Sequence, residues 1–406
     1  MNINTFRAFS SRNYRLFFTG QSVSLIGTWM QQTAVSWLIY VNTHSEFMLG
    51  LSVFAGQFPT FLLSPLGGVV SDRYKRHQIL LFVQAAAMLQ ALVLAVLVIS
   101  KHYTTWQILA LNAVLGIVSA FDVPARQSLT YDMVDNKSDL PNALALNASM
   151  VNLARLVGPA LSGIVLQQFG AGVCFSLNAA SFMVVIISLL LMKFPENITP
   201  VHKSKMFLEL TEGLGYLKRT PAIGMLILML ACVSLLVLPF MTLLPVYAKV
   251  IFKGDAATFG YLNSAIGLGA IAGAIFLASL KTGTNLKNVL FINTVIFGIG
   301  LILFSHLTNL PLALLLVAIA GFGMMSQTTL NNTIIQTTVA NHMRGRVTSY
   351  FAMAFFGMLP LGSLLVGSVS QYWGAPDTIL AEGVAAIIIA LAFLPFFRKG
   401  IVRQNA

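Results

Sequence analysis

Arg155 stands alone in the middle of an apolar stretch, Met150-Val-Asn152-Leu-Ala154-Arg155-Leu-Val-Gly158-Pro159. A cation held in such surroundings costs at least about 2.5–3.5 kcal/mol, so it calls for a carboxylate partner or an anionic ligand. Two chemistries follow. Arg155 is either a counter-charge for an anionic substrate or one end of a structural salt bridge, with Asp122 the nearest acid by topology. Few other ionisable groups lie in apolar stretches: Asp122, Glu382 and, at a helix end, His306. Trp29, Gln32, Asn112, Asn263, Gln327 and Asn331 fall near mid-depth of theirs, where polar side chains line a cavity or settle a helix contact. Phe351, Phe355, Phe356 and Met358 could supply an adaptable apolar wall. No nucleophile beside a base, metal-ligand cluster, phosphate loop or dinucleotide fingerprint accompanies them. The expectation is therefore a protein that is not an enzyme, with no cofactor or metal and no ATP-driven step.

The elements that must position these residues follow from composition. Hydrophobic residues make up 57% of the 406 positions and charged residues only 9%. A soluble domain carries about 25% charged residues, so this chain is suited to lipid. At about 20 apolar residues per crossing, twelve candidate spans fit between residues 16 and 397. The expected fold is all-α and integral to the membrane, with residues 1–192 as one six-helix bundle, 193–221 as a linker and 222–406 as a second bundle. A gap-free shift of 204 residues supports the duplication. It sets Gly158 on Gly362, Gly163 on Gly367, Gln167 on Gln371 and Gly170 on Gly374. In the linker, Lys203, Lys205, Lys218 and Arg219 flank Phe207, Leu208, Leu210, Leu214 and Leu217. That pattern fits an amphipathic helix on the inner leaflet or a solvated connection.

The net charge of +12 would suit a nucleic-acid surface, but topology accounts for it. With both termini cytoplasmic, all but Lys101, Lys249, Lys253 and Arg155 of the 24 Lys and Arg fall on the inner side. The basicity is thus an orientation signal, and no nucleic-acid partner is expected. The first apolar segment is of span length without a small-residue cleavage site, so it reads as the first helix. Trp37 and Tyr40 near its end read as interfacial anchors. Cys174 and Cys232 read as buried free thiols.

One cluster remains. Gly67-Gly68-Val-Val-Ser71-Asp72-Arg73-Tyr74-Lys75-Arg76-His77 packs four charges into five residues between two apolar runs, with the glycines placed to end the first. Read from Gly68, the pattern G-x-x-x-D-R-x-x-R resembles the loop between helices 2 and 3 of major facilitator superfamily transporters. Asp122-Val-Pro124-Ala-Arg126-Gln127, Ala154-Arg155-Leu-Val-Gly158-Pro159 and Arg344-Gly345-Arg346-Val-Thr-Ser349 are similar to the branch holding enterobactin-type siderophore exporters and macrolide-efflux proteins. The likeness covers essentially the whole chain.

The resemblance implies twelve transmembrane helices in two six-helix pseudo-repeats. It also implies a conformational latch at Gly68, Asp72, Arg73 and Arg76. There Gly68 would let span 2 pack against span 11, Asp72 would face the N-terminal end of span 11, and Arg73 and Arg76 would reach acids such as Asp132. Gly158, Pro159 and Gly163 resemble the helix-packing signature of antiporters. In span 4 the arginine of drug–proton antiporters is replaced by Asn112, four residues before Gly116. Proton coupling, a family expectation, would then fall to Asp122 or Glu382. Pro124 is expected to break span 4. Together these imply a monomeric bacterial inner-membrane secondary transporter. It would export a small amphipathic or anionic molecule, a siderophore-like metabolite or drug, by alternating access coupled to protons. Uptake by the same fold is the alternative. A lipid-modifying membrane enzyme is a more distant one.

Overall fold

The computed structural model describes residues 3–194, 206–281, 283–340 and 343–398. Among them the chain is helical, with no strand. The first half holds α1 (Arg12–Thr43), α2 (Glu46–Arg73), α3 (Arg76–Ile99), α4 (Thr105–Met133), α5 (Leu140–Phe169) and α6 (Ala171–Leu190). After α7 (Met206–Arg219) come α8 (Pro221–Ile251), α9 (Ala256–Ala278), α10 (Leu286–Ser305), α11 (Leu310–Thr338), α12 (Arg344–Trp373) and α13 (Ala375–Arg398). Eleven of these helices are long and apolar enough to cross a membrane. The twelfth, α1, has the length at 32 residues, but Gln21, Gln31 and Gln32 lower its hydropathy.

Two expected helix ends are absent. α2 runs through Gly67 and Gly68 to Arg73, and α4 runs through Pro124 to Met133. One contact explains both. Proline lacks an amide hydrogen, so Pro124 leaves the carbonyl of Ala120, four residues back, without its helical donor. That carbonyl lies against Gly67, whose missing side chain is what admits it. The proline defect in one helix is covered by the glycine of its neighbour.

The helices gather into two compact units. The first takes Met1–His44, Ala55–His202 and Gly254–Ser264; the second takes Ser45–Phe54, Lys203–Lys253 and Ala265–Ala406. Each therefore includes a short segment that belongs, in sequence, to the other half. In the first unit α1 packs on α5 and α6, and α3 on α4 and α6. The second repeats this: α8 packs on α12 and α13, and α10 on α11 and α13. The turns that open α6 and α13 are alike in conformation, with Gly170 at φ 82° and Gly374 at φ 83°.

The first unit is tied internally by amides. Asn178 donates to Gln31 (2.8 Å), Gln31 donates to Gln90 (3.1 Å), and Gln90 donates to the carbonyl of Leu111 (3.1 Å), linking four helices. Buried amides must be paired this way, because water is not there to replace a lost partner. Gln90→Leu would strand the Gln31 amide and remove the side-chain bond to the Leu111 carbonyl. It is expected to lower stability by about 1–3 kcal/mol, measured as a drop in the thermal midpoint of detergent-solubilised protein. An unchanged midpoint would show that the chain contributes little.

Lys203 and Lys205 of the linker lie outside the described residues. α7 itself is held in the second unit. Arg346 Nη2 lies 2.7 Å from the Glu212 carboxylate, the backbone amide of Ala340 donates to the Tyr216 hydroxyl (3.4 Å), and Gly213 lies against the Tyr350 ring. Trp37, half-buried, stacks on Phe259 at 6.1 Å within the first unit, and Tyr40 is buried, so Tyr40 packs inside the unit where an exposed anchor was expected. Both cysteines are free.

Candidate functional site

α5 presents Arg155 to α1. The guanidinium carbon stands 5.2 Å from the centre of the Trp29 ring. The approach depends on Gly158, one turn further along α5, because a side-chain carbon there would come within 2.5 Å of Trp29 Cβ. Pro159, four residues after Arg155, leaves the Arg155 carbonyl without a helical donor as well. A cation over an indole face is worth about 0.5–1 kcal/mol exposed and about 2 or more when desolvated. The stack orients Arg155 without neutralising it.

Among the described residues no carboxylate neutralises it. Among the described residues the acid–base pairs are Arg76–Asp132 (2.9 Å), Arg126–Asp122 (2.9 Å), His306–Asp377 (3.2 Å) and Arg346–Glu212 (2.7 Å). Arg155 is in none of them, and its buried Nε has no hydrogen-bond partner. Asp122, the partner that topology favours, is already engaged. It pairs with Arg126 one turn away and accepts from Gln84 Nε2 at 2.9 Å. The structural salt bridge between α4 and α5 is not formed.

The other polar candidates divide. Trp29 and Gln32 lie three residues apart on α1, and Gln32 is exposed. Asn112 sits against Gly56, where an added side-chain carbon would come 2.8 Å from its Nδ2. Asn263, in the segment of α9 that joins the first unit, turns its amide back to the Phe259 carbonyl (2.9 Å). Gln327 and Asn331 are fully buried in the second unit, where Asn331 donates to the Leu226 carbonyl (3.0 Å) and thereby ties α11 to α8. Glu382 on α13 is 4% exposed, and neither carboxylate oxygen has a partner.

In the charge cluster Arg76 pairs with Asp132, and His77 Nε2 lies 2.8 Å from the Leu189 carbonyl. Asp72 and Arg73 occupy the last turn of α2 and are exposed. A Cβ added at Gly68 meets nothing within 4 Å. The tight contact in this stretch is one residue earlier, at Gly67, and it is made with α4. Gly67→Val is expected to cost about 1–3 kcal/mol or more by overpacking, and Gly68→Val much less. Thermal midpoints of the two variants check this, and equal losses would argue against it.

Gly163 packs on α9, and a side-chain carbon on it would come 2.9 Å from the Ala256 carbonyl and 3.1 Å from Gly260 Cα. Gly367 packs on α2 in the same manner, against the Glu46 carbonyl and Gly50 Cα (3.1 Å). Gly50 and Gly260 were not singled out from sequence. The signal was a glycine in each half, but 210 residues apart, where the rest of the repeat keeps 204. Glu212 went unnoticed because only its partner, Arg346, lies in a distinctive motif.

Twelve long helices, duplicated packing and glycine-lined crossings are the fold of a major facilitator transporter, which is not an enzyme. The chain belongs to the family of transmembrane secretion effectors, which it matches over residues 3–401. It is 26% identical over 393 residues to the staphyloferrin A transporter of Staphylococcus aureus, covering 95% of this chain and 96% of that one. It is 25% identical over 382 residues to the enterobactin exporter EntS of Salmonella choleraesuis, covering 94% and 91%. Among solved structures, a bacterial homologue of the human lysosomal transporter Spinster matches with a TM-score of 0.75 at 15% identity, covering 98% of this chain and 99% of that one. The chain is thus a multi-pass membrane transporter of this family, similar to siderophore and drug transporters.

Proposed function

We propose that this protein exports a small anionic, carboxylate-rich molecule of the siderophore class across the bacterial inner membrane, by alternating access driven by a proton gradient. The observation that carries the reading is Arg155: a half-buried guanidinium, stacked on Trp29, with no carboxylate partner among the described residues. A transporter that keeps such a charge unpaired stabilises it with cargo. Carboxylates fit best, because the planar fork of Arg matches a carboxylate with two parallel hydrogen bonds. Trp29 orients the fork, and Gln32 and Asn112 of the same unit supply neutral hydrogen bonds to a polar cargo. The two relatives, a staphyloferrin A transporter and an enterobactin exporter, point to the same class of molecule. The lopsided placement of Lys and Arg supports cytoplasmic termini.

The test compares small molecules by mass spectrometry in cells and medium, with and without the protein, under iron-poor and iron-rich growth. Export predicts an acidic chelator that leaves the medium and stays in the deletion cells. The opposite shift, with the compound left outside, would establish uptake. No difference in any anionic metabolite would overturn the reading.

A further inference from the structure

Gly170 and Gly374 share the same left-handed conformation (φ 82°, ψ 172° and φ 83°, ψ 157°), so the helices they open, α6 and α13, run in register 204 residues apart. In that register Glu382 occupies the place of Asn178. Asn178 is fully buried and fully engaged: its amide donates to Gln31, and its Oδ1 accepts from the Ser181 hydroxyl (3.1 Å). The same spacing puts Ala385 at the place of Ser181, while α8 follows α1 at a longer one: Gly158 meets the Ile26 carbonyl where Gly362 meets that of Leu235, and this spacing of 209 puts Phe240 at the place of Gln31. Glu382 is therefore an acid in a position built for a paired amide, with both partners replaced by hydrocarbon. Neither of its oxygens has a hydrogen-bond partner, and no cation pairs with it among the described residues.

We propose that Glu382 is a proton-binding site, the one that couples transport to the proton gradient, and that it works apart from the cargo cation Arg155. The coupling rests on the transport reading above. Arg155 belongs to the first unit and Glu382 to the second, so cargo and proton are held by different units. An uncompensated carboxylate in such a place is costly, whereas the neutral acid is tolerated. Proton binding and release therefore change the energy of the packing of α13. The step is a simple one: the carboxylate takes a proton from one aqueous phase and returns it to the other, with no other bond made or broken.

The polar neighbours are engaged elsewhere. The Tyr247 hydroxyl, on the π-helical turn that ends α8, donates to the carbonyl of Ser305 (2.6 Å), and His306 pairs with Asp377 (3.2 Å). The other basic groups on packed elements are remote: Lys287 stands at the far end of α10, and Arg346 at the start of α12 is held by Glu212.

The test uses the full-length protein in liposomes and needs only protons as the ligand. Infrared difference spectra taken across a pH titration are expected to show one neutral-carboxyl carbonyl band in the wild type that titrates, shifts in heavy water and is missing from Glu382→Gln. A wild type without the band, a band that survives in Glu382→Gln, or one that neither titrates nor exchanges would overturn the site. In cells, Glu382→Gln is expected to lower gradient-driven export to the level of the deletion strain while its thermal midpoint is kept. Export at the wild-type level would overturn the coupling. If the wild type exports nothing, the transport reading fails, and the band alone decides the proton site.

Discussion

Replacing Arg155 with glutamine is expected to weaken export of an anionic cargo by about 10–100-fold, the loss of a charged hydrogen bond worth about 1.5–3 kcal/mol. The same change is expected to leave the thermal midpoint unchanged or slightly raised. That sign separates the two readings of the residue. If Arg155 were half of a structural salt bridge, its removal would strand a buried acid and cost about 3–5 kcal/mol. No acid is stranded here, because Asp122 keeps Arg126 and Gln84. Arg155→Lys is expected to recover only part of the activity, since an ammonium neither forms the fork nor stacks on Trp29 as well. Export rates and thermal midpoints of the two variants check this. A destabilised Arg155→Gln, or full activity from the lysine, would remove Arg155 from the cargo site.

Asp72→Asn is expected to remove most transport while insertion and stability are kept. Asp72 lies in the last turn of α2, where the helix end is already negative and an acid is disfavoured by about 0.3–1 kcal/mol. It is exposed and forms no ion pair among the described residues. Its neighbour Arg73 suits the same helix end, and Arg76 is held by Asp132. We propose that Asp72, with no ion pair among the described residues, finds its partner in another conformation, as a latch requires. A well-expressed Asp72→Asn protein is the measurement: lost transport with an unchanged or higher midpoint supports the latch, and normal transport would sink it.

Much of the architecture was legible because lipid imposes it. Every crossing needs about 20 apolar residues, and that length is visible without any tertiary information. The exception shows the limit. α1 has the length but carries Gln21 and Gln31, and only the structure reveals that both are buried against other helices. Local rules misjudged two helix ends for the same reason. Gly67 and Pro124 each weaken an isolated helix, yet each makes room for the other across an interface. The site was legible in residue type and not in pairing. Arg155 stands out in any reading of the sequence, but its stacking on Trp29, and the prior engagement of Asp122, depend on which helices meet. Gln327 and Asn331 have cavity-like polarity, and the structure buries them completely. Glu382 was visible as an acid in a span. Its significance came from seeing Asn178 satisfied in the matching place.

The short segments traded between the halves bear on how the protein is made. The glycine seat on α5, at Gly163, is filled by residues near Ala256 and Gly260, which leave the ribosome nearly a hundred residues later. Domains usually mature from the N-terminus as synthesis proceeds. Here the first six helices can be inserted but not completed until α9 has been synthesised. The start of α2, around Gly50, waits longer still for Gly367. Maturation is thus a late event for both halves, and a nascent chain halted in the linker carries two unfinished surfaces of small residues, open to chaperones and to proteolysis.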